Sequence, residues 1–597
     1  MAFSTHDVVP DSPINNFATL NPLIGSAGTY SNGNTKIDAT NTKPHFGTIA
    51  CPVGEISYFE VIPVSTTKRE IVGFGTLNAD YKLEYYNWQS NDTRLIHEAP
   101  TGYIGSHLNN DITGDIVGLA LDLTGQYTNI KMYVNGSLLT DQTTTTLVES
   151  VSSMFPMVQS ATGAFTFLVN FGQDHNFGGA KTGGGGYQDA NGTGQFYYEP
   201  PEGALSLCTA NIPSGPIDIA NDDVPSDYMK AVTYTGNNTA GHQITTVGFR
   251  SDLIWIKDRD VASQHVLIDS VRGHDRELFS SNTNAEQNSN TSGHVSALSA
   301  ITDNGFTLNQ NVYPTGSTNG PTKHIAWVWK AAGAPDQDYA SANDGSAKII
   351  NEDGSANTSI QDCAALASAA GASITPSKVS ANRQNGFSIV SYTGNGTSDI
   401  SIPHGLGKRP SLMAAKNYEN SGSNYHWQVH FFNGLNSRKV GYLNLPNALG
   451  DDTTRAVNDN IIEISAGDIN RSSGKNIAYI WSEVAGYSKC GSYIGNGSPD
   501  GPYVECGFRP AWVMLKNTTT TATNWQLNDN VRDPNNVVKH RLAPSSSEAE
   551  QTNYDFGDFL SNGFKIRQTD QTWNKSGDVY IFIAFSEQPF NAPSNAR

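Results

Sequence analysis

Few groups in the chain have the residue types and spacing that chemistry needs. Arg272-Gly-His-Asp-Arg-Glu277 sets an imidazole among carboxylates and guanidinium groups, the ingredients of general acid–base catalysis. The stretch reads as a strand, and neighbours along a strand point to opposite faces, so His274 and Asp275 do not face one substrate. Paired acids stand at Asp222-Asp223 and Asp451-Asp452. Their oxygens would suit calcium, but the spaced EF-hand pattern is missing and they read as solvated loop residues. Gly183–Gly186 is a four-glycine run followed by Tyr187-Gln188, where a phosphate cradle has Lys and then Ser or Thr. Neither a G-x-S-x-G elbow nor an H-E-x-x-H pair is present. The five cysteines, Cys51, Cys208, Cys363, Cys490 and Cys506, are odd in number and widely spaced, with no CxxC. They predict buried free thiols rather than a zinc or redox site, although Cys490 and Cys506 would be able to approach across neighbouring strands. No catalytic, cofactor-binding or metal-binding residue is predicted, and no cofactor.

The charge balance narrows the partners. With 37 basic and 56 acidic residues the net charge is -19, which repels nucleic acid and anionic membrane surfaces. No apolar run reaches the roughly 18 residues of a membrane-spanning helix. The N-terminal "MAFSTHDVVPDSPINNF" has no basic region followed by an apolar one, so no secretory signal is expected. The expectation is a protein made in a cytoplasm, yet with the Thr-, Asn- and Gly-rich loops of an exterior surface. A virion component released by lysis reconciles the two.

The elements that would position any site come from a repeat. Tyr234-Thr-Gly-Asn237, Tyr392-Thr-Gly-Asn395 and Tyr493-Ile-Gly-Asn496 each open a segment. Arg250, Arg409 and Arg509 follow the Asn by 13, 14 and 13 residues, and Lys257, Lys416 and Lys516 lie seven beyond each Arg. Each segment closes on an apolar strand: "HIAWVWKAA" (324–332), "NIAYIWSEV" (476–484) and "DVYIFIAFSE" (578–587). Before it, the first and third carry Asn-Gly-Phe (304–306 and 562–564), where the second has "NIIEIS" (460–465). Units of about 100 residues with short, turn-bounded apolar strands are the size of one β-sandwich each. Residues 228–333, 385–487 and 488–597 are therefore three tandem sandwich domains.

Within "GFRPAWVMLK", Trp512, Met514 and Lys516 alternate with Val513 and Leu515, so both strand faces are apolar and Lys516 sits at the exit. Trp255, Trp329, Trp427, Trp481, Trp512 and Trp525 read as core aromatics, with a sugar-stacking platform as the rival for one or two. The repeated Arg and Lys read as edge caps or local ion pairs.

Two other regions differ. Residues 213–227 are a Pro-, Gly- and acid-rich linker. Residues 334–384 read as a connector, with Asp362 capping a short Ala-rich helix over 363–370 that ends near Gly371. Residues 1–212 carry "SYFEV" (57–61), "GDIVGLALDL" (114–123), "IKMYVNG" (130–136) and "FLVNFG" (167–172). Their alternation predicts half-buried strands, and Asn135-Gly136 predicts a tight hairpin.

The order of the Tyr-Phe-Glu-Val strand, the Gly-Asp-x-Val-Gly…Asp strand and the Tyr-x-Asn-Gly hairpin resembles the SPRY domain. That likeness implies a concanavalin-like sandwich whose loops recognise protein or sugar. The stretch from "NGFSIVSYTGNGT" (385–397) through "CGFRPAWVMLKN" (506–517) to "SNGFKIR" (561–567) is similar to a repeated domain of marine bacteriophage tail proteins, those of cyanophages and pelagiphages. The resemblance implies an all-β virion structural protein: a tail fibre or appendage that binds the host surface without catalysis, in the manner of a homotrimeric phage fibre. Its expected partners are other tail or capsid proteins and a host glycan or outer-membrane protein, with no nucleic acid and no membrane insertion. The alternatives are a tailspike-type polysaccharide depolymerase, which needs paired carboxylates on a groove, a capsid-decorating fibre, and a bacterial adhesin.

Overall fold

A computed structural model describes residues 15–589, apart from 25–27, 41–42, 66–69, 77–84, 90–91, 98–112, 148–152, 161–162, 214, 218–222, 289–294, 310–317, 336–344, 398 and 435–436. Asp222 and residues 1–14 of the N-terminal stretch lie outside the described residues. The protein is all-β. Among the described residues its one α-helix is Cys363–Ala370, and no helix is long and apolar enough to cross a membrane. The chain forms two compact units, one of residues 1–213 with 502–504 and 590–597, the other of 214–501 with 505–589.

The first unit is a sandwich. Its larger sheet runs Gly28–Ser31, Lys36–Ala39, Phe165–Asn170, Ile56–Ser65, Val117–Asp122, Tyr127–Val134 and Ser137–Leu147, with Ala204–Ser206 joined to Ile56–Ser65. The smaller runs His45–Phe46, Met154–Ser160, Glu70–Thr76, Tyr85–Gln89 and Asp92–His97. Phe59, Val61, Leu119 and Leu121 meet Val72, Phe74, Met154 and Val158 between the sheets. The alternate residues Tyr58, Glu60 and Ile62 face the other way and are also buried. What covers them is the strand-free stretch from Gly172 to Gly203, through Phe177 and Phe196. Asn135 and Gly136 form the expected two-residue turn, both at positive φ (47° and 78°), with Val134 opposite Ser137.

In the second unit the repeat has a structural meaning. The strands Leu253–Asp258, Leu412–Asn417 and Phe508–Asn517 hold the same place in three sheets. Each lies between its closing strand (Lys323–Trp329, Lys475–Trp481, Val579–Pro589) and the next strand (Val266–Asp269, Gln428–Gly434, Gln526–Asp529). The opening strands Met229–Thr235, Phe387–Thr393 and Ser488–Ile494 pair with the other side of the closing strand. "NIIEIS" stands where Asn-Gly-Phe does: Ile461–Ile464, Gly305–Leu308 and Gly563–Ile566 each pair within a small second sheet.

Both faces of the three large sheets are buried. On one face Ile254, Ile256 and Val328 pack against Phe306 and Leu308 of their own repeat, and Met413 and Ile480 pack against Ile462 and Ile464 of theirs. On the other face all three repeats share a single core containing Trp255, Trp327, Trp329, Trp427, Tyr479, Trp481, Trp512, Trp525 and Phe585. Trp329, Trp481 and Phe585 occupy one position in the three closing strands and converge there, with ring centroids 6.1 Å (Trp329–Trp481) and 5.8 Å (Trp329–Phe585) apart. Sandwiches strung in a row would have left this second apolar face exposed, which its Trp content forbids.

Residues 345–384 are more than a connector. Ala347–Ile350 lies parallel to Lys378–Asn382, which continues into the second repeat's sheet. Parallel strands need a crossover, and the helix Cys363–Ala370 supplies it. Asp362 Oδ1 caps the helix by accepting from Ala365 N at 2.7 Å, and Gly371 ends it at φ 64°. The turn residues around the four-residue strand hide it in the sequence.

Candidate binding surface

The repeated landmarks turn out to be architectural. Tyr234, Tyr392 and Tyr493 donate their hydroxyls to Thr318 O, Ile469 O and Trp573 O at 2.6, 2.8 and 2.8 Å. The residues that follow those carbonyls, Asn319, Asn470 and Asn574, accept through Oδ1 from the backbone N–H of Asn237, Asn395 and Asn496 at 3.0, 3.0 and 2.7 Å. The intervening glycine allows this close approach: a Cβ on Gly236, Gly394 or Gly495 would stand 2.0–2.5 Å from a backbone oxygen. Sequence reasoning missed these three Asn residues because 82, 75 and 78 residues separate them from their partners.

Lys257, Lys416 and Lys516 are fully buried, and each binds carbonyls of the loop after its own strand. Lys416 Nζ donates to Tyr425 O at 2.7 Å and Lys516 Nζ to Thr523 O at 2.6 Å. Burial pushes these amines down, Lys257 to about 8 and the other two to about 7. Arg250 approaches Asp252 at 3.7 Å, Arg509 pairs with Glu587 at 2.6 Å, and Arg409 is half-buried. All six tryptophans singled out in the sequence are buried, so none presents a face to a sugar.

The sequence-level candidates for chemistry are dispersed. His274 is exposed, while Glu277 is buried and accepts from Ala297 N. Arg272 binds Asp269 at 2.6 Å and Glu286 at 3.0 Å, away from His274's environment. Asp451 pairs with Lys439 (2.8 Å), and Asp452 with Arg438 (3.1 Å) and Arg455 (3.0 Å), so their charges are already met. Asp223 accepts from Gln384 Nε2 at 2.6 Å. Among the described residues no three His, Cys, Asp or Glu side chains are grouped to hold a metal. The five cysteines are buried free thiols.

An ordered loop surface stands on the first unit, in the stretch from Gly172 to Gly203. Three acids hold it. Glu60, on the outer face of its sheet, accepts from Tyr197 N, Tyr198 N and Asn170 Nδ2 at 2.9, 2.9 and 3.2 Å. Burial raises its carboxyl to about 7 against the pull of those donors. Asp189 accepts from Asn191 N, Thr193 N, Ser206 N, Ser206 Oγ and Asn211 Nδ2 at 2.6–2.9 Å. Asp174 accepts from Asn176 N and Gly178 N at 2.9 and 2.6 Å.

This scaffold fixes an aromatic and amide surface. Tyr197 and Tyr198 form an edge-to-face pair with centroids 5.0 Å apart. Tyr198 lies on the Asn135-Gly136 turn, where a Cβ on Gly136 would come within 2.6 Å of its ring. Gly184 approaches the Tyr197 hydroxyl, and Lys181 Nζ donates to Gly114 O at 2.7 Å. Tyr187 is 46% exposed beside Gln188, and His175 meets Gln195 at 3.2 Å. The four-glycine run, unsuited to phosphate, belongs to this surface: Gly183–Gly186 all have φ between 76° and 84°. The arrangement sets the exposed Tyr187 and the half-buried Tyr197 and Tyr198 on one stretch with the exposed amides of Gln188 and Gln195. Glu60, Asp174 and Asp189 are engaged by the chain itself, while Glu199 and Glu202 of the same stretch are exposed.

These features define an all-β protein with a sandwich carrying an ordered loop surface and a separate unit of three interlocked repeats. The chain belongs to the family described as a domain of unknown function, DUF7483, whose model matches residues 224–360 and 340–589. No curated protein matches it. Among solved structures it is similar to the SPRY domain of human HERC1 (13% identity, 25% of this chain and 96% of that one, TM-score 0.20). It is also similar to the carbohydrate-binding module CBM66 from Bacillus subtilis (10%, 26% and 93%, TM-score 0.20) and to peanut lectin (12%, 28% and 91%, TM-score 0.20).

Proposed function

We propose that the chain is a virion structural protein, a phage tail fibre or tail appendage, that holds host-surface glycan on its first unit without cleaving it. The observation that carries the reading is the Tyr187, Tyr197 and Tyr198 surface, fixed from beneath by Glu60, Asp174 and Asp189. Sugar rings stack on aromatic faces while hydroxyls bond to amides, and a preordered loop lowers the entropy lost on binding. Such contacts are individually weak, so attachment relies on many copies per particle. The resemblance of residues 385–590 to marine phage tail repeats supports the virion assignment. The interlocked second unit suits a spacer that must not open under load.

Two experiments test this. Antibody labelling of purified particles locates the protein; its absence from the particle rejects the virion role. A glycan array probed with the full chain and with Tyr187→Ala reads the binding; equal signals from both reject the surface.

A further inference from the structure

The three repeats close a ring. Glu286 N of the first repeat donates to Tyr418 O of the second (2.7 Å), Leu449 N of the second to Thr518 O of the third (3.1 Å), and Glu550 N of the third to Arg259 O of the first (2.9 Å). Each acceptor lies two residues beyond the repeat's buried lysine. Trp427 and Trp525, each just before its repeat's next strand, donate Nε1 to Phe279 O and Tyr442 O of the preceding repeat at 2.8 and 2.9 Å.

Side chains at one equivalent position then distinguish the three junctions. Opposite Leu253, Leu412 and Trp512 in the sheets stand Asp269, Phe431 and Asp529. The closing strands present Trp327, Tyr479 and Ile583 at a second equivalent position. Trp327 of the first repeat donates Nε1 to Asp529 of the third at 3.0 Å, and Tyr479 of the second donates its hydroxyl to Asp269 of the first at 2.8 Å. At the remaining junction both members, Ile583 and Phe431, are apolar and lie in the shared core. Arg272 and Arg532, three residues beyond the two aspartates, neutralise them at 2.6 and 2.7 Å and reach on to Glu286 and Glu550. The third junction has Gly434 in that place.

We infer that Asp269–Arg272 and Asp529–Arg532 are registry keys that fix the cyclic order of the three repeats within the chain. The physical reason is an asymmetry of errors. If the third repeat's Ile583 met Asp269 or Asp529, the buried carboxylate would lose a donor. If Trp327 or Tyr479 met Phe431, a buried N–H or O–H would be left unpaired. Correct docking satisfies Trp327, Tyr479, Asp269 and Asp529 together, whereas the reversed cyclic order leaves Trp327 without an acceptor and Asp269 short of a donor. Tandem copies of one fold need such a device because misassembly and swapping are their characteristic failures.

The test uses the full chain. In a double-mutant cycle read by the urea midpoint of the second unit, Tyr479→Phe and Asp269→Asn are expected to be coupled, the double variant losing clearly less than the sum of the two single shifts. Tyr479→Phe with Asp529→Asn is expected to be additive. Coupling in the cross pair, or none in either pair, overturns the inference. Light scattering after dilution from urea adds a second readout: Tyr479→Phe/Trp327→Phe is expected to raise the misassembled, aggregated fraction several-fold over the wild-type chain. An unchanged distribution overturns it.

Discussion

Asn574 accepts the backbone N–H of Asn496 through Oδ1 at 2.7 Å and returns its amide to Ser498 O, also at 2.7 Å. Asn470 does the same to Asn395 and Thr397, and Asn319 to Asn237 and Thr239. Replacing Asn574, itself fully buried, with Ala removes the acceptor of Asn496 N–H and the donor to Ser498 O at once. The expected loss is about 1–3 kcal/mol, read as a lower urea midpoint for the second unit. Asn574→Asp keeps the acceptor but sets a buried carboxylate oxygen against Ser498 O and Gln568 O, and is expected to cost at least as much. A fully stable Asn574→Ala chain would contradict the staple.

Trp329 sits where the repeats meet, with Trp481, Trp512 and Phe585 at 6.1, 5.5 and 5.8 Å. Trp329→Ala is expected to cost about 3–5 kcal/mol. Hydrogen exchange should then rise in all three repeats together, because they share that core. A rise confined to residues 229–329 would show three independent bodies.

The buried lysines make stability depend on pH. Folded, Lys416 and Lys516 titrate near 7 and Lys257 near 8, against 10.5 for an ordinary lysine. Between those values the unfolded chain binds more protons than the folded one, so stability rises as pH rises. Urea midpoints should increase from about pH 6.5 to about 7.5, below the range where the ordinary thiols of an unfolded chain begin to ionise. Lys516→Met should flatten part of that rise. A midpoint that falls over the same interval would contradict the assignment.

Glu60 ties the Gly172–Gly203 stretch to the sheet beneath it. Glu60→Ala leaves the amides of Tyr197 and Tyr198 without their acceptor. Differential scanning calorimetry should show the first unit melting earlier and the second unchanged, with glycan binding reduced. An unaltered first transition would mean that the carboxylate does not hold the surface.

The repeat was legible because hydrophobic patterning and turn residues sit close together in sequence. Arg250, Arg409 and Arg509 introduce strands of one topological place, and Asn135-Gly136 makes the turn its residues demand. The ring was not legible, since an apolar strand face reads the same whether its own repeat or a neighbour covers it. Nor was the role of Asn319, Asn470 and Asn574, whose partners are distant in the chain. Ala347–Ile350 was too short to show a period among its glycines and acids. On the first unit Glu60 reads as a strand's solvent face until the distant Tyr197 and Tyr198 are placed over it. The tyrosine surface depends on that long-range closure, and so no local motif announced it.

The most direct measurement is titration of the full chain with host-surface polysaccharide, followed by a reducing-end assay on the same samples. Saturable binding that Tyr187→Ala or Tyr197→Ala weakens, with no new reducing ends, is the predicted result. Sustained release of reducing ends, or binding indifferent to both substitutions, would contradict it.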